Sequence, residues 1–183
     1  MIFHINYVNH NFSNKFSLRV ICNMSVSGDK TFVSNYLLYL LAASSELASE
    51  QFHQQIRDQG LRVPEWRVLA CLVDNDNMMI THLARLSLME QSRMTRIADQ
   101  MTQNGLLERC EDSNDKRRVR VRLTNKGRKI AIDLVGQARV HEKKLLSTLK
   151  DTDASHIKHA LQALLQTLDE NTNELPPVLK REA

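Results

Sequence analysis

Residues 92–127, SRMTRIADQMTQNGLLERCEDSNDKRRVRVRLTNKG, carry two periodicities that decide the fold. The first predicts a helix over residues 90–104, because apolar side chains recur there at three- and four-residue steps: Met94, Ile97, Ala98 and Met101. Gly105 then supplies a natural helix stop. The second predicts strands over 106–110 and 119–123, the latter from strict alternation of apolar and basic residues. The stretch therefore predicts a helix that leads into a two-stranded hairpin.

The side of this helix opposite the apolar residues is polar and carries two arginines. At 100° per residue, one arc of the helical wheel collects the following side chains: Ser92, Arg93, Arg96, Asp99, Gln100 and Gln103. Residues 105–129 then hold nine basic and four acidic residues, a local charge of +5 in a chain whose net charge is +4. A solvated hairpin can carry such a run, but beside a helix with arginines on its polar face it suggests a surface for phosphate.

Three helices are predicted before this stretch. The first runs from Thr31 to about Asp58 and ends at Gly60, and around residues 36–43 it is apolar on every side, so it needs cover from its own domain or from a second chain. Pro64 opens a short helix to Val73. Thr81 is predicted to cap a third helix to about Leu86, followed by a break at Ser87–Glu90.

Two amphipathic helices are predicted after the hairpin. Thr124 can cap a long helix, and Asp151–Asp153 precedes a last helix with apolar residues at Ile157, Ala160, Leu161, Leu164, Leu165 and Leu168. Together with the first helix they form a block built from both ends of the chain.

Composition excludes several classes of protein. With 183 residues, five glycines and three prolines, the chain has the size of one domain with an appendage and the turn content of a helical protein. The longest apolar run, residues 36–43, falls short of the roughly 20 residues of a membrane span. Cys22, Cys71 and Cys110 are odd in number and widely spaced, which argues against a disulfide framework and favours a reducing cytosol. The first 23 residues make a poor secretory signal, and translation starting at Met24 is one hypothesis.

Motifs of catalysis and of metal binding are not found. The sequence has no G-x-S-x-G, Walker loop, HExxH or glycine-rich dinucleotide turn, so we expect neither an enzyme nor a cofactor. His156 and His159 share a helical face, but no Cys, His and carboxylate cluster has metal-ligand spacing, so no metal site is predicted.

Two segments of the chain resemble the MarR family of bacterial transcription regulators. Residues 115–127 match the family's wing pattern, Asp-x-Arg followed by an alternating strand and Leu-Thr-x-x-Gly. Residues 92–109 are similar to its recognition helix and the exit into the wing. The resemblance extends over about residues 31–171, including the flanking helices.

The resemblance implies a mainly α fold with a small two-stranded β wing. The winged helix-turn-helix, the DNA-binding domain, would occupy residues 61–124. A helical dimerisation region would combine residues 31–60 and 125–171. Residues 1–30 and 172–183 would be tails.

The resemblance also assigns DNA contacts. The recognition helix would face the major groove with five side chains: Gln91, Ser92, Arg93, Thr95 and Arg96. At the wing tip Arg117 would enter the minor groove, Asp115 would hold the loop, and Lys116 and Arg118 would bind phosphates. Thr81 would contact the DNA backbone. Thr81 and Ser92 are equally interpretable as helix caps, and Asp115 as a turn residue.

Many members of the family respond to small aromatic or phenolic ligands. Five residues could line such a pocket, although aromatic residues at helical spacing usually belong to a core: Tyr36, Tyr39, His53, Trp66 and Arg67.

The peroxide-sensing branch of the family carries a cysteine at the position that aligns with Leu38, so peroxide sensing by that cysteine chemistry is not expected here. Cys71 is expected to be a small buried hydrophobe, and Cys110 in the first wing strand is the better candidate for a redox switch.

The sequence thus predicts a cytoplasmic bacterial regulator, in this family most often a ligand-relieved repressor. It would bind double-stranded DNA as a homodimer at an inverted repeat, with no membrane partner. Two alternatives stay open: an architectural protein that binds nucleic acid without sequence preference, and a redox-responsive regulator acting through Cys110.

Overall fold

The computed structural model describes residues 32–75, 77–111 and 119–171. Its elements follow in chain order: α1 (Phe32–Asn35), α2 (Leu37–Asp58), α3 (Val63–Asp74), β1 (Met78–Met79), α4 (Ile80–Leu86), α5 (Gln91–Gln103), β2 (Leu107–Glu111), β3 (Val119–Leu123), α6 (Asn125–Thr148), a 3₁₀ turn (Asp153–His156) and α7 (Ile157–Asn171). The chain divides into two compact units, one ending at Ser45 and one beginning at Glu46. Within the described residues, no helix is long and apolar enough to cross a bilayer.

The first unit contributes α1 and the first turns of α2. The rings of Phe32 and Tyr36 stack with centroids 5.2 Å apart, and Tyr36 separates the two helices. The apolar side chains of this segment remain exposed, Leu37 and Leu38 by more than half. The predicted first helix is therefore confirmed with one interruption, and among the described residues much of its apolar surface is exposed.

The core of the second unit lies between α3, α4, α5, the sheet and α6. Its entirely buried apolar residues include the following: Ile56, Val68, Leu69, Leu72, Leu83, Met94, Val121 and Leu134. Gly60, between α2 and α3, has φ +76°, and Gly105, after α5, has φ +69°, the left-handed conformation that glycine adopts readily at helix ends. Both predicted helix stops are confirmed.

Helix α5 buries the four apolar residues that the periodicity selects: Met94, Ile97, Ala98 and Met101. The helix begins at Gln91, with Glu90 at its N-cap position. Ser92 lies inside the first turn, so its interpretation as a cap is wrong. Thr81 is not a cap either, because α4 begins one residue earlier and Met79 occupies the N-cap position.

The hairpin is part of a three-stranded antiparallel sheet in the order β1, β3, β2. The two predicted strands pair in register, with Leu107 opposite Leu123. The third strand, Met78–Met79, pairs with Arg120 and Val121 of β3 and was missed, because two residues are too short to show an alternating pattern.

The junction between the wing and α6 accounts for the Thr-x-x-Gly pattern. Thr124 donates its hydroxyl hydrogen to the carbonyl oxygen of Gly105 at 2.7 Å, and its Oγ1 accepts from the backbone N–H of Gly127 at 3.0 Å. The predicted cap is confirmed. Gly127 packs so closely on the backbone of Leu106 that a Cβ would overlap the carbonyl oxygen of Leu106. This contact fixes where α6 leaves the sheet.

We expect Gly127→Ala to lower the free energy of unfolding by about 1–3 kcal/mol, because backbone must move to admit the methyl group. Gly136→Ala is the matched control, since it lies in the same helix with nothing within 4 Å of its Cβ position. That change should be neutral or stabilise by up to about 1 kcal/mol. Urea unfolding of both variants measures the difference, and equal stability would contradict the proposed close contact.

Candidate nucleic-acid interface

The N-terminal half of α5 presents a polar surface to solvent. Gln91, Ser92 and Arg96 are exposed, while Arg93 and Thr95 are half-buried. The hydroxyl of Thr95 donates to the carbonyl oxygen of Gln91 at 3.0 Å, which leaves its oxygen able to accept a hydrogen bond. The structure thus brings the five predicted recognition-helix residues together on a rigid helix.

Arg93 and Arg96 have no ion pair and no side-chain hydrogen bond with any described residue. A guanidinium carries five N–H donors in a planar fork, the geometry that suits the O6 and N7 acceptors of guanine and the oxygens of phosphate. These two arginines are therefore available to bind a ligand of that kind without first breaking an internal contact.

The C-terminal half of the same polar face is tied to the rest of the domain. Asp99 forms an ion pair with Arg109 of β2, and Gln100 accepts a hydrogen bond from Arg62, just before α3, at 2.6 Å. The face that the helical wheel presents as continuous is thus divided into a free half and a bonded half.

Several cations of the basic hairpin have internal partners as well. Arg122 forms an ion pair with Glu108, directly across the two wing strands, at 2.7 Å. Arg120 donates to the carbonyl oxygen of Asn77 at 2.6 Å, and Lys126 donates to that of Asn104 at 3.1 Å. With Arg109, at least four of the described cations in residues 105–129 make contacts that hold the domain together. The opposite charges of Glu108 and Arg122 on the two predicted strands were the sequence feature from which this ion pair could have been predicted.

The remaining predicted contacts divide into two groups. Asp115, Lys116, Arg117 and Arg118 lie outside the described residues. Thr81 is exposed on α4, as are two residues that the sequence analysis missed, His82 and Arg85. In a helix-turn-helix the first helix crosses the DNA backbone, so exposed polar residues there are suited to phosphate contacts.

Glu65 is a buried charge in the first turn of α3. Its side chain is 5% exposed, and it accepts from the backbone N–H and the guanidinium of Arg62, both at 2.8 Å. Burial raises the pKa of this carboxyl, but the hydrogen bonds and charge of Arg62 outweigh burial, so the pKa is lower than usual. By accepting from the backbone N–H of Arg62, the N-cap residue, Glu65 stabilises the start of α3.

Two concavities open on the second unit. One, of about 230 Å³, lies between the end of α2, the end of α5 and the start of α6, and Leu61, Leu106 and Lys126 line it. The other, of about 770 Å³, lies between α2 and α6, with Gln55 and His141 among its lining residues. His53, Trp66 and Arg67, named above as possible pocket residues, line neither concavity. Whether these residues, Tyr36 or Tyr39 bind a ligand stays untested.

The aromatic residues instead pack on one another. The rings of Phe52 and Trp66 pack edge to face with centroids 5.2 Å apart, and the centroids of the Phe52 and His141 rings are 5.6 Å apart. Burial, followed by the positive charge of Arg67, lowers the pKa of neighbouring His53. Of this cluster, His141 lines the larger concavity.

The two described cysteines are half-buried. Burial raises the pKa of the Cys71 thiol, which lies 3.7 Å from the hydroxyl of Ser87. A thiol in that state is a poor nucleophile. Cys110 lies in β2 opposite Arg120.

Comparison with known proteins identifies related chains. Residues 61–119 match the family model of the MarR family. A MarR family transcriptional regulator from Silicibacter pomeroyi DSS-3 is 68% identical, and the similarity covers 76% of this chain and 99% of that structure, with a TM-score of 0.72. The organic hydroperoxide resistance transcriptional regulator of Bacillus subtilis is 26% identical, over 76% of this chain and 94% of its own length. Bordetella bronchiseptica BpsR, whose DNA binding is regulated by 6-hydroxynicotinic acid, shares the fold at 23% identity over 78% of this chain and 99% of that structure, with a TM-score of 0.64.

The lowered pKa of Glu65 predicts a pH dependence of stability. Because the folded-state pKa lies below the unfolded value, the stabilisation is present above pH 4.5 and is lost as pH falls through the folded-state pKa. Glu65→Gln should therefore cost about 2 kcal/mol at pH 7 and progressively less below pH 4.5. The control is Glu108→Gln in an exposed pair, expected to cost less than about 1 kcal/mol. A cost of Glu65→Gln that does not change with pH would refute the assignment.

Proposed function

This chain belongs to the MarR family of winged helix-turn-helix transcriptional regulators, and on that premise we propose that it represses transcription by binding an inverted-repeat operator as a homodimer. It is a DNA-binding regulator rather than an enzyme, and its place of action is the bacterial cytoplasm. The observation that carries the proposal is the free N-terminal half of α5, where Arg93 and Arg96 lie unpaired among the described residues.

The free half of α5 supplies sequence readout. A helix about 10–12 Å across fits the major groove, and in helix-turn-helix proteins the first residues of the recognition helix reach the base edges. Arg93 and Arg96 would bind guanines, with Gln91, Ser92 and Thr95 contacting bases or phosphates. Asp99 and Gln100 of the bonded half would not contact bases, because their side chains are bonded to Arg109 and Arg62.

Phosphate contacts would surround this helix. Thr81 on α4 would bind the backbone on one side, and Arg85, one turn further along the exposed face, extends that surface. The loop between the wing strands would bind on the other side: Arg117 in the minor groove, Lys116 and Arg118 on phosphates, and Asp115 holding the loop. Such contacts give affinity and register, whereas α5 gives sequence preference.

Dimerisation is supported by apolar helical faces that this chain leaves exposed. They lie on the first part of α2, on the outer side of α6 and along α7: Leu37, Leu38, Leu40, Ile132, Val140, Leu161, Leu164, Leu165 and Leu168. Exposed apolar residues in such number on the helices of one chain are typical of a protein interface. We assign residues 31–60 and 125–171 to it, and a twofold dimer then places two recognition helices about one DNA turn apart.

Regulation by a small aromatic or phenolic effector follows from the same family membership. BpsR responds to an aromatic acid, and in this chain the 770 Å³ groove lined by Gln55, Val140 and His141 offers room for a ring. An effector that prefers the dimer geometry unable to bind DNA would lower operator affinity by its difference in binding free energy. Adding 6-hydroxynicotinic acid or 4-hydroxybenzoate to the protein bound to its selected duplex tests this, and full retention with both probes would refute it for that class.

Selection of genomic duplex fragments at moderate salt should enrich an inverted repeat. Arg96→Ala should cost about 1–3 kcal/mol on that site and much less on random duplex, because it removes a base contact. The matched control is Arg122→Ala, which removes the same charge from a residue paired with Glu108 and should leave sequence preference unchanged. Retention without enrichment, falling steeply with salt, would instead indicate an architectural protein, as would equal losses from Arg96→Ala on both DNAs.

Leu164→Asp combined with Leu168→Asp should convert the dimer into a monomer and abolish tight operator binding. Two charges would then lie in an apolar interface and would require desolvation. The control, Gln162→Asp with Gln166→Asp, adds the same charge to the polar side of α7 and should stay dimeric. Size-exclusion chromatography with light scattering measures the mass. A double leucine variant that remains a dimer would exclude α7 from the interface.

A further inference from the structure

Arg62 joins two helices through one guanidinium. It follows Gly60 and Leu61 in the turn between α2 and α3, and its Nη2 atom donates both to Glu65, at 2.8 Å, and to Gln100 of α5, at 2.6 Å. The side chain is about half exposed, yet its guanidinium is hydrogen-bonded to both helices. The link therefore runs from the first turn of α3 to the bonded half of the recognition helix.

The α3 end of this link is rigid. Glu65 is buried, and its two carboxylate oxygens accept from the backbone N–H and from the guanidinium of Arg62, so the long arginine side chain starts from a fixed point. A planar guanidinium presents its donors in a fixed arrangement, whereas a lysine ammonium on a flexible stem does not. The position of Gln100 is thereby set relative to α3.

Gln100 is suited to control the orientation of α5. Its neighbour Asp99 is held by Arg109 of β2, so two adjacent residues, 100° apart around the helix axis, are tied to two different elements. Restraints in two directions oppose rotation of α5 about its axis. Arg96 lies one turn before Gln100 on the same side of the helix, so the same restraints fix where its guanidinium points.

We propose that Arg62 is a positioning residue for DNA recognition: through Gln100 it holds α5 in the rotation at which Arg96 reads its base, without contacting DNA itself. This proposal rests on the proposed function. Removing this link would leave the charged and hydroxyl groups of the free half present on α5 but would change the direction in which they point. Affinity for random duplex would then change little, whereas the preference for the operator would fall.

A double-mutant cycle on the selected operator duplex tests the proposal. Arg62→Ala and Gln100→Ala should each lower the ratio of operator to random-duplex binding by about tenfold. The double variant should show no lower ratio than either single variant, since both changes remove the same Arg62–Gln100 hydrogen bond. Gln100→Ala leaves the Arg62 to Glu65 contact intact, so loss of stability at Glu65 cannot account for its effect. Additive losses would overturn the proposal.

Arg62→Lys separates positioning from a direct phosphate contact. A lysine retains the charge and would preserve binding if Arg62 touched phosphate, but it should not restore the operator preference if Arg62 acts through Gln100. Arg57→Ala is the control for charge removal, because Arg57 is similarly exposed on nearby α2 and pairs with Glu50 at 2.8 Å. It should leave the ratio unchanged. Full operator preference in Arg62→Lys would overturn the proposal.

A measurement without DNA distinguishes failure of this proposal from failure of the proposed function. Amide hydrogen exchange across residues 97–104 should be faster in Arg62→Ala and in Gln100→Ala than in the parent or in Arg57→Ala, because α5 has lost one restraint. Unchanged exchange in Gln100→Ala would refute the positioning role. If exchange accelerates but no duplex is enriched by the parent protein, the operator assignment fails while the restraint on α5 stands.

Discussion

Burial of one side of α5 is the constraint on which the rest depends. Met94, Ile97, Ala98 and Met101 all lie in the core, so the opposite side of the helix must face outward. That side carries the arginines. A packing requirement of four apolar residues therefore determines which polar residues can meet a ligand.

Polar contacts then refine this arrangement. The core fixes the helix to within the tolerance of packed side chains, and the ties from Asp99 to Arg109 and from Gln100 to Arg62 add directional restraints at its C-terminal end. Pairing also divides the basic residues by role, since Arg122 is paired with Glu108 whereas Arg96 is not paired among the described residues. Under the proposed function, DNA readout and stabilisation of the fold would both use arginine, and the presence of an internal partner would distinguish the two roles.

Periodicity predicted most of the fold because each pattern depends on residues close together in the chain. The helix ends at Gly105 and the strand at Val119–Leu123 follow from local conformational preferences. The partners of Arg62 and Arg120 could not be predicted in the same way, because Gln100 and Asn77 lie far off in sequence and meet them only after folding. The positive charge of the hairpin accordingly overstated the surface available for phosphate.

Protection of individual arginines by DNA tests the central claim directly. The protein would be treated with an arginine-specific dicarbonyl reagent, alone and in complex with its selected duplex, and the modified residues identified by mass spectrometry. Arg93 and Arg96 are expected to react in the free protein and to be protected in the complex, while the reactivity of Arg109 and Arg122 should change little. Protection of Arg109 and Arg122 without protection of Arg93 and Arg96 would contradict the division of the recognition helix into a free and a bonded half.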